Sequence, residues 1–169
     1  MFSLFKKKPA LSVRVKEFEV SRFVAGLKVV TNRHDLKQDV SALQKRFQNS
    51  RDKMEDPCNP SATLAVYSQP NERGSFSYFV GDLVETSAQP DLFSVVELPA
   101  GKYAHITIDF KDPSQLPFAV AKAKHYFFHK WLPTSGYRVK KEIESIEWYD
   151  RRSSIALASM ELVFPLTEQ

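Results

Sequence analysis

The sequence predicts an α+β fold: two βαββ modules related by a pseudo-twofold, sharing an antiparallel sheet with helices on one face and a ligand groove between the repeats. Three observations carry this reading. Two amphipathic helical segments place apolar residues at the same spacing, Leu36, Val40, Leu43 and Phe47 in one and Leu116, Val120, Ala123 and Phe127 in the other, as a 3.6-residue period requires. Each of these four positions is offset by 80 from its counterpart. Each helix is also preceded by one run rich in Val, Ile, Tyr and Phe and followed by two more, the composition strands prefer.

Residues 1–11 read as a basic tail. The opening Met1-Phe2-Ser3-Leu4-Phe5-Lys6-Lys7-Lys8-Pro9 has its charges after its apolar residues and no long apolar stretch, so it suits neither a secretory signal nor a membrane span. Residues 12–169 read as the folded domain, with a first repeat at about 12–84 and a second at about 91–167. In the first, a strand at 23–30 leads to a helix at 36–49, then strands at 63–67 and 76–81. The join at 84–91 contains Ser87-Ala88-Gln89-Pro90, which is linker chemistry. In the second, a strand at 103–110 leads to a helix at 116–130, then strands at 143–149 and 155–164. The 80-residue offset also aligns Glu17-Phe18-Glu19-Val20 with Glu97-Leu98-Pro99-Ala100, and Phe23 with Tyr103.

Alternation assigns faces. Ala104, Ile106, Ile108 and Phe110 are apolar and are expected beneath the helix, with Tyr103, His105, Thr107 and Asp109 opposite. Ile146 and Trp148 share one face, expected to be the helix side. Glu147 and Tyr149 share the other, and Met160, Leu162 and Phe164 oppose Ser159, Glu161 and Val163. One face, away from the helices, is therefore expected to collect Glu147, Tyr149, Glu161 and Tyr103. By the repeat offset, Tyr67 stands where Glu147 stands.

Glu147 carries the chemistry. A carboxylate between Ile146, Trp148 and Tyr149 is partly desolvated, which disfavours its charged form unless a positive partner arrives. An acidic groove walled by aromatic rings is a cation site, because ring faces attract flat or quaternary cations with about 0.5–2 kcal/mol per contact. An ionised carboxylate left unpaired also resists neutral ligands.

Other chemistries find less support. The net charge is +4, from 24 basic and 20 acidic residues that are spread along the chain, unlike the concentrated patch of a dedicated nucleic-acid binder. The only cysteine, Cys58, sits in the loop-like Asp56-Pro57-Cys58-Asn59-Pro60. It makes no internal disulfide, fits a reducing cytoplasm, and has no neighbour that would activate it. His125 and His129 have metal-ligand spacing but lack the intervening glutamate of zinc proteases and an evident third ligand. No metal or cofactor is expected. Ser135 beside Gly136 lacks the hydrolase elbow pattern, no glycine-rich phosphate loop occurs, and Arg138-Val139-Lys140-Lys141 reads as a solvated strand edge.

Three segments carry a family resemblance: Trp131-Leu132-Pro133-Thr134-Ser135-Gly136-Tyr137, then Ile146-Glu147-Trp148-Tyr149, then Glu161-Leu162-Val163-Phe164-Pro165. Together they resemble the closing block of the GyrI-like effector-binding domain, found in AraC-type and some MerR-type transcription activators and in the DNA gyrase inhibitory protein. Leu98-Pro99-Ala100-Gly101-Lys102-Tyr103-Ala104 is similar to the strand that opens that family's second half. The resemblance covers about residues 12–167. It implies a groove between the repeats that binds amphipathic, often cationic compounds. Glu147 would be the central acid, and Tyr67, Phe79, Trp131, Tyr137 and Tyr149 would be lining residues. About a dozen residues precede the domain, so a stand-alone form without its own DNA-binding helices is expected. Direct nucleic-acid and membrane contacts are then not expected, and a separate DNA-binding protein or gyrase is a possible protein partner.

The primary expectation is a non-enzymatic, cytoplasmic binder that senses or sequesters lipophilic or aromatic cations, linked to transcription regulation through such a partner. Two alternatives stay open. One is a hydrolase of reactive electrophiles, in which Glu147 with Tyr149 or Tyr137 activates water. The other is a protein-interaction module resembling the gyrase inhibitor.

Overall fold

The computed structural model describes residues 11–150 and 159–169. The basic tail up to residue 10 and the start of the last expected strand, 155–158, lie outside the described residues. Nine strands and three α-helices follow in the order β1 (Arg14–Phe18), β2 (Arg22–Thr31), α1 (Leu36–Ser50), β3 (Thr63–Ser68), β4 (Phe76–Val84), β5 (Ser94–Leu98), β6 (Gly101–Asp109), α2 (Leu116–Tyr126), α3 (Leu132–Ser135), β7 (Tyr137–Val139), β8 (Ile143–Tyr149) and β9 (Ser159–Glu168). A π-helical turn, Phe127–Trp131, joins α2 to α3, so the helical segment expected at 116–130 is present, with a wider turn at its end, and runs on to Ser135. Gly136, at φ 77°, then ends α3 in the left-handed conformation that glycine adopts without strain.

The sheet runs β1-β6-β9-β8-β3-β4-β2-β5, with β7 added on β9. Exchanging each strand for its repeat partner returns the same order reversed, which is the signature of a twofold. The axis passes through the central antiparallel pair β3–β8. Ala65 faces Glu147, Val66 faces Ile146 and Tyr67 faces Ser145, so each pair maps onto its mirror under the 80-residue offset.

The outer strands exchange partners. β1, from the first half, pairs with β6 of the second, and β5 pairs with β2 of the first. The sequence reading did not anticipate these two strands, although its alignment of 17–20 with 97–100 touches both. Their sequences, Arg-Val-Lys-Glu-Phe and Ser-Val-Val-Glu-Leu, mix charges into the run, as exposed sheet edges do to discourage further pairing.

Three apolar clusters hold the sheet. Leu43 and Phe47 of α1 pack on Ala25, Leu27, Ala65, Tyr78 and Val80. Ala123 and Phe127 pack on Ala104, Ile106, Ile108, Met160 and Leu162, and Phe127 stacks on Phe164 at 3.9 Å. Because Ala65 pairs with Glu147 and Glu147 with Leu162, both helices lie on one face, as the sequence predicts. The opposite face is also dry. Val24, Leu64, Val66, Leu98, Tyr103, Ile146 and Val163 form one cluster drawn from strands across the sheet. The sheet therefore curls into a half-barrel whose far face packs on itself, with Phe18 of β1 only 6.2 Å from Trp148 of β8. The curl draws β2 and β4 together at the facing pair Gly26 and Gly81. A Cβ on Gly26 would sit 1.9 Å from the Val80 carbonyl oxygen, so only glycine fits there.

The far face carries a buried polar group. His105 is 6% exposed, and neither ring nitrogen has a hydrogen-bond partner among the described residues. Burial, followed by the nearby Lys16 charge, pushes its pKa down to about 4, against a weaker upward pull from Glu161. A histidine depressed in this way contributes stability above the unfolded value near 6.5 that is lost as pH falls toward 4. We expect His105→Leu to flatten the loss of stability between pH 6.5 and 4, which is worth about 3 kcal/mol in the wild type. Urea titrations across that range measure it; parallel pH curves for the two proteins would count against this role.

Candidate functional site

The register places Glu147 and Tyr149 of β8 on the helix face, beside Ala65 and Thr63 of β3 and Leu162 of β9. This corrects the parity expectation. Ile146 and Trp148, not Glu147, face away from the helices. Strand alternation fixes which residues share a face, but not which face a helix covers. Glu147 therefore lies on the sheet face that α1 and α2 cover, while Ile146 sits in the far-face cluster with Trp148 packed against it.

The correction divides the expected site residues. Tyr67, Glu147 and Tyr149 share the helix face near the axis. Tyr103, Phe79 and Glu161 lie on the other face. Tyr103 is fully buried, and its hydroxyl donates to the Pro99 carbonyl oxygen at 2.7 Å. Phe79 is 2% exposed within the far-face cluster. Glu161 is 4% exposed; it accepts from Thr107 at 2.8 Å and pairs with Arg14 at 3.2 Å. Trp131 and Tyr137 have other contacts. They stack on one another at 6.1 Å, Trp131 stacks on Phe127, and Lys102 sits over the Tyr137 ring.

At the centre, the Tyr149 hydroxyl donates to Glu147 Oε1 at 2.5 Å. Tyr67 and Tyr78 meet edge to face at 5.2 Å, and the Tyr78 hydroxyl accepts from Gln44 Nε2 on α1 at 3.1 Å. Three phenols thus surround one carboxylate, and the titration of each reflects it. Burial first, then the Glu147 charge, pushes Tyr67 and Tyr149 far above the ordinary phenol range. Burial, again with a contribution from Glu147 and against a downward pull from Gln44, lifts Tyr78 to about 12. Among the described residues no lysine or arginine forms an ion pair with Glu147. The hydrogen bond that Glu147 accepts from Tyr149 comes from a neutral donor.

A cleft of about 520 Å³ opens along α1, and its lining includes Gln44, Phe47, Gln48, Thr63 and Tyr149. Tyr149 lines this cleft, whereas Glu147, Tyr67 and Tyr78 do not. A larger cleft, about 670 Å³, opens beyond the other side of β8 against Trp148, Arg22, Pro60 and Cys58. Burial, with a hydrogen bond to Glu85, raises the Cys58 thiol to about 11, which keeps it protonated and unreactive near neutrality. The exposed His125 and His129 rings lie 4.5 Å apart at the end of α2. Among the described residues no group of three metal-binding side chains assembles, and no helix is long and apolar enough to cross a membrane.

Sequence reasoning missed Tyr78, Gln44 and Lys124. The signal was present: Tyr78 faces Tyr67 across β3–β4, and Gln44 and Lys124 are 80 residues apart on the two helices.

A tyrosine raised in the folded state contributes stability that is present below its unfolded value of about 10 and lost as pH rises above it. Burial likewise lifts Tyr103 to about 12. In a spectrophotometric titration of the native protein, Tyr67, Tyr78, Tyr103 and Tyr149 should yield no phenolate near pH 10–11, and their ionisation should accompany alkaline unfolding. Four freely titrating phenols in that range would contradict the burial and the carboxylate contacts.

Comparison with known proteins bears on the fold. None of the curated proteins matches the sequence. Among solved structures, SAV2435 bound to tetraphenylphosphonium is similar with a TM-score of 0.70 and 18% identity over 92% of this chain and 94% of that one. The integron cassette protein VCH_CASS2 from the mobile metagenome of Vibrio cholerae is similar with a TM-score of 0.61 and 14% identity over 92% and 95%. The chain also resembles part of EcmrR in its DNA complex, with a TM-score of 0.64 and 13% identity over 94% of this chain and 58% of that one. At these identities the likeness is one of fold. The family model described as integron-associated effector binding protein, Cass2, matches residues 17–165, nearly the whole domain, and the chain belongs to that family of GyrI-like effector-binding domains.

Proposed function

We propose that this protein binds amphipathic organic cations in the groove between α1 and α2, with Glu147 as counter-charge and Tyr67, Tyr78 and Tyr149 as walls. One observation carries the reading: a carboxylate enclosed by three phenols, with no lysine or arginine ion-paired to it among the described residues. Phenol rings offer electron-rich faces, and a cation placed among them gains both quadrupole attraction and the carboxylate. A neutral ligand gains only apolar contact. Tetraphenylphosphonium in the structural neighbour SAV2435 is a cation of this class. The role that follows is capture of such compounds, for sensing or sequestration.

Calorimetric titration with tetraphenylphosphonium and with the neutral triphenylphosphine oxide tests this. Glu147→Gln should weaken the cation at least tenfold, about 1.4 kcal/mol, and change the neutral compound little. Equal losses for both would sink the proposal. Catalytic turnover of a reactive electrophile that vanishes in Glu147→Gln, with binding retained, would point to the hydrolase reading instead.

A further inference from the structure

Lys124 occupies a place in the groove that the binding proposal above does not use. Its Nζ lies 5.4 Å from the centroid of the Tyr67 ring. The same Nζ pairs with Glu144 Oε1 at 3.3 Å, and both side chains are largely buried, 26% and 28% exposed. One of the aromatic walls therefore already carries a cation that belongs to the chain.

The placement follows from the fold. The pseudo-twofold relates Lys124 on α2 to Gln44 on α1, and Tyr67 on β3 to Glu147 on β8, each 80 residues apart. At one end of the groove a neutral amide, Gln44, holds Tyr78. At the other end a lysine sits on Tyr67. The two halves thus present different charges around one axis.

A β-bulge supplies the anchor. The β3–β8 register steps from Tyr67↔Ser145 to Ser68↔Ile143, so Glu144 has no opposite residue. By alternation Glu144 would face away from the helices with Ile146, yet its carboxylate reaches Lys124 on α2. Bulges re-aim a side chain in this way. Ile143 turns correspondingly to the far-face cluster.

We propose that Lys124 is a specificity-determining residue, a tethered cation that an entering organic cation must displace from Tyr67, with Glu144 holding the ammonium when it leaves. The inference rests on the proposed cation site. A like charge next to the bound ligand raises the threshold for binding, so only cations with enough aromatic or aliphatic surface to recover the loss are retained. Small hydrophilic cations, which gain little from ring contact or desolvation, are rejected.

Two substitutions should act in opposite directions. Lys124→Met keeps the side chain's length and removes its charge. It should tighten tetraphenylphosphonium about tenfold, the order expected for removing a partly screened like charge at close range, and leave triphenylphosphine oxide nearly unchanged. Glu144→Gln removes the anchor and leaves the ammonium to the ring and to Glu147, so tetraphenylphosphonium should weaken several-fold. Binding that Glu147→Gln weakens but Lys124→Met leaves unchanged or weaker overturns this inference alone. Failure of both wild type and Lys124→Met to bind overturns the cation site with it. Thermal unfolding of each variant, run alongside, separates lost folding from lost binding; in Lys124→Met a tighter affinity cannot arise from misfolding.

Discussion

The antiparallel pairing of β3 with β8 is the contact on which the rest of the molecule depends. It joins the two halves into one sheet, and it fixes the axis at Val66 and Ile146. Those two residues point into the far-face cluster and seal it. Their neighbours on either side, Ala65, Tyr67, Ser145 and Glu147, must then point the other way, toward the face the helices cover, and Tyr149 follows Glu147 by alternation. A shift of one residue in this register would move every groove side chain into the apolar interior. It would bury the Glu147 carboxylate among Leu64, Val66 and Val163, an arrangement too costly for an ionised acid. Burial of the far face and exposure of the acid thus select the same register.

The exchange of β1 and β5 reinforces that joint. Each half lends its first strand to the other's sheet, so neither half completes its own far-face core. Phe18 illustrates the consequence. It belongs to the first half, yet it stacks on Tyr103 at 4.4 Å and approaches Trp148, both of the second. The two halves consequently cannot separate without exposing apolar surface.

Charge is distributed unevenly around the axis. At the end of α1, Arg51 grips Asp82 through two hydrogen bonds, at 2.5 and 2.6 Å, and also donates to Thr63. That acid is satisfied internally and serves the structure. Glu147, on the same face, is surrounded by phenols instead. The symmetry of the backbone with the asymmetry of these side chains gives the two halves different charges about one axis.

Much of this was legible in the chain itself. The 80-residue offset disclosed the duplication, the helices and the central strands, because amphipathic period and β-branched composition are local properties. Glu147, flanked by Ile146 and Trp148, stood out as the candidate acid, since a carboxylate between large apolar residues has little structural reason to be there. Strand alternation also grouped Glu147 with Tyr149 correctly. It could not decide how the faces of β8 correspond to those of β6 and β9, and so Tyr103 and Glu161 were grouped with the acid from which the sheet separates them; the family resemblance had grouped Phe79 there as well. The swapped edge strands were invisible for a related reason: their partners lie 68 to 91 residues away in the chain, and nothing local marks them. The bulge that turns Glu144 toward Lys124 belongs to the same class. Local chemistry set the elements and the key acid; long-range register, curl and strand exchange decided what that acid meets.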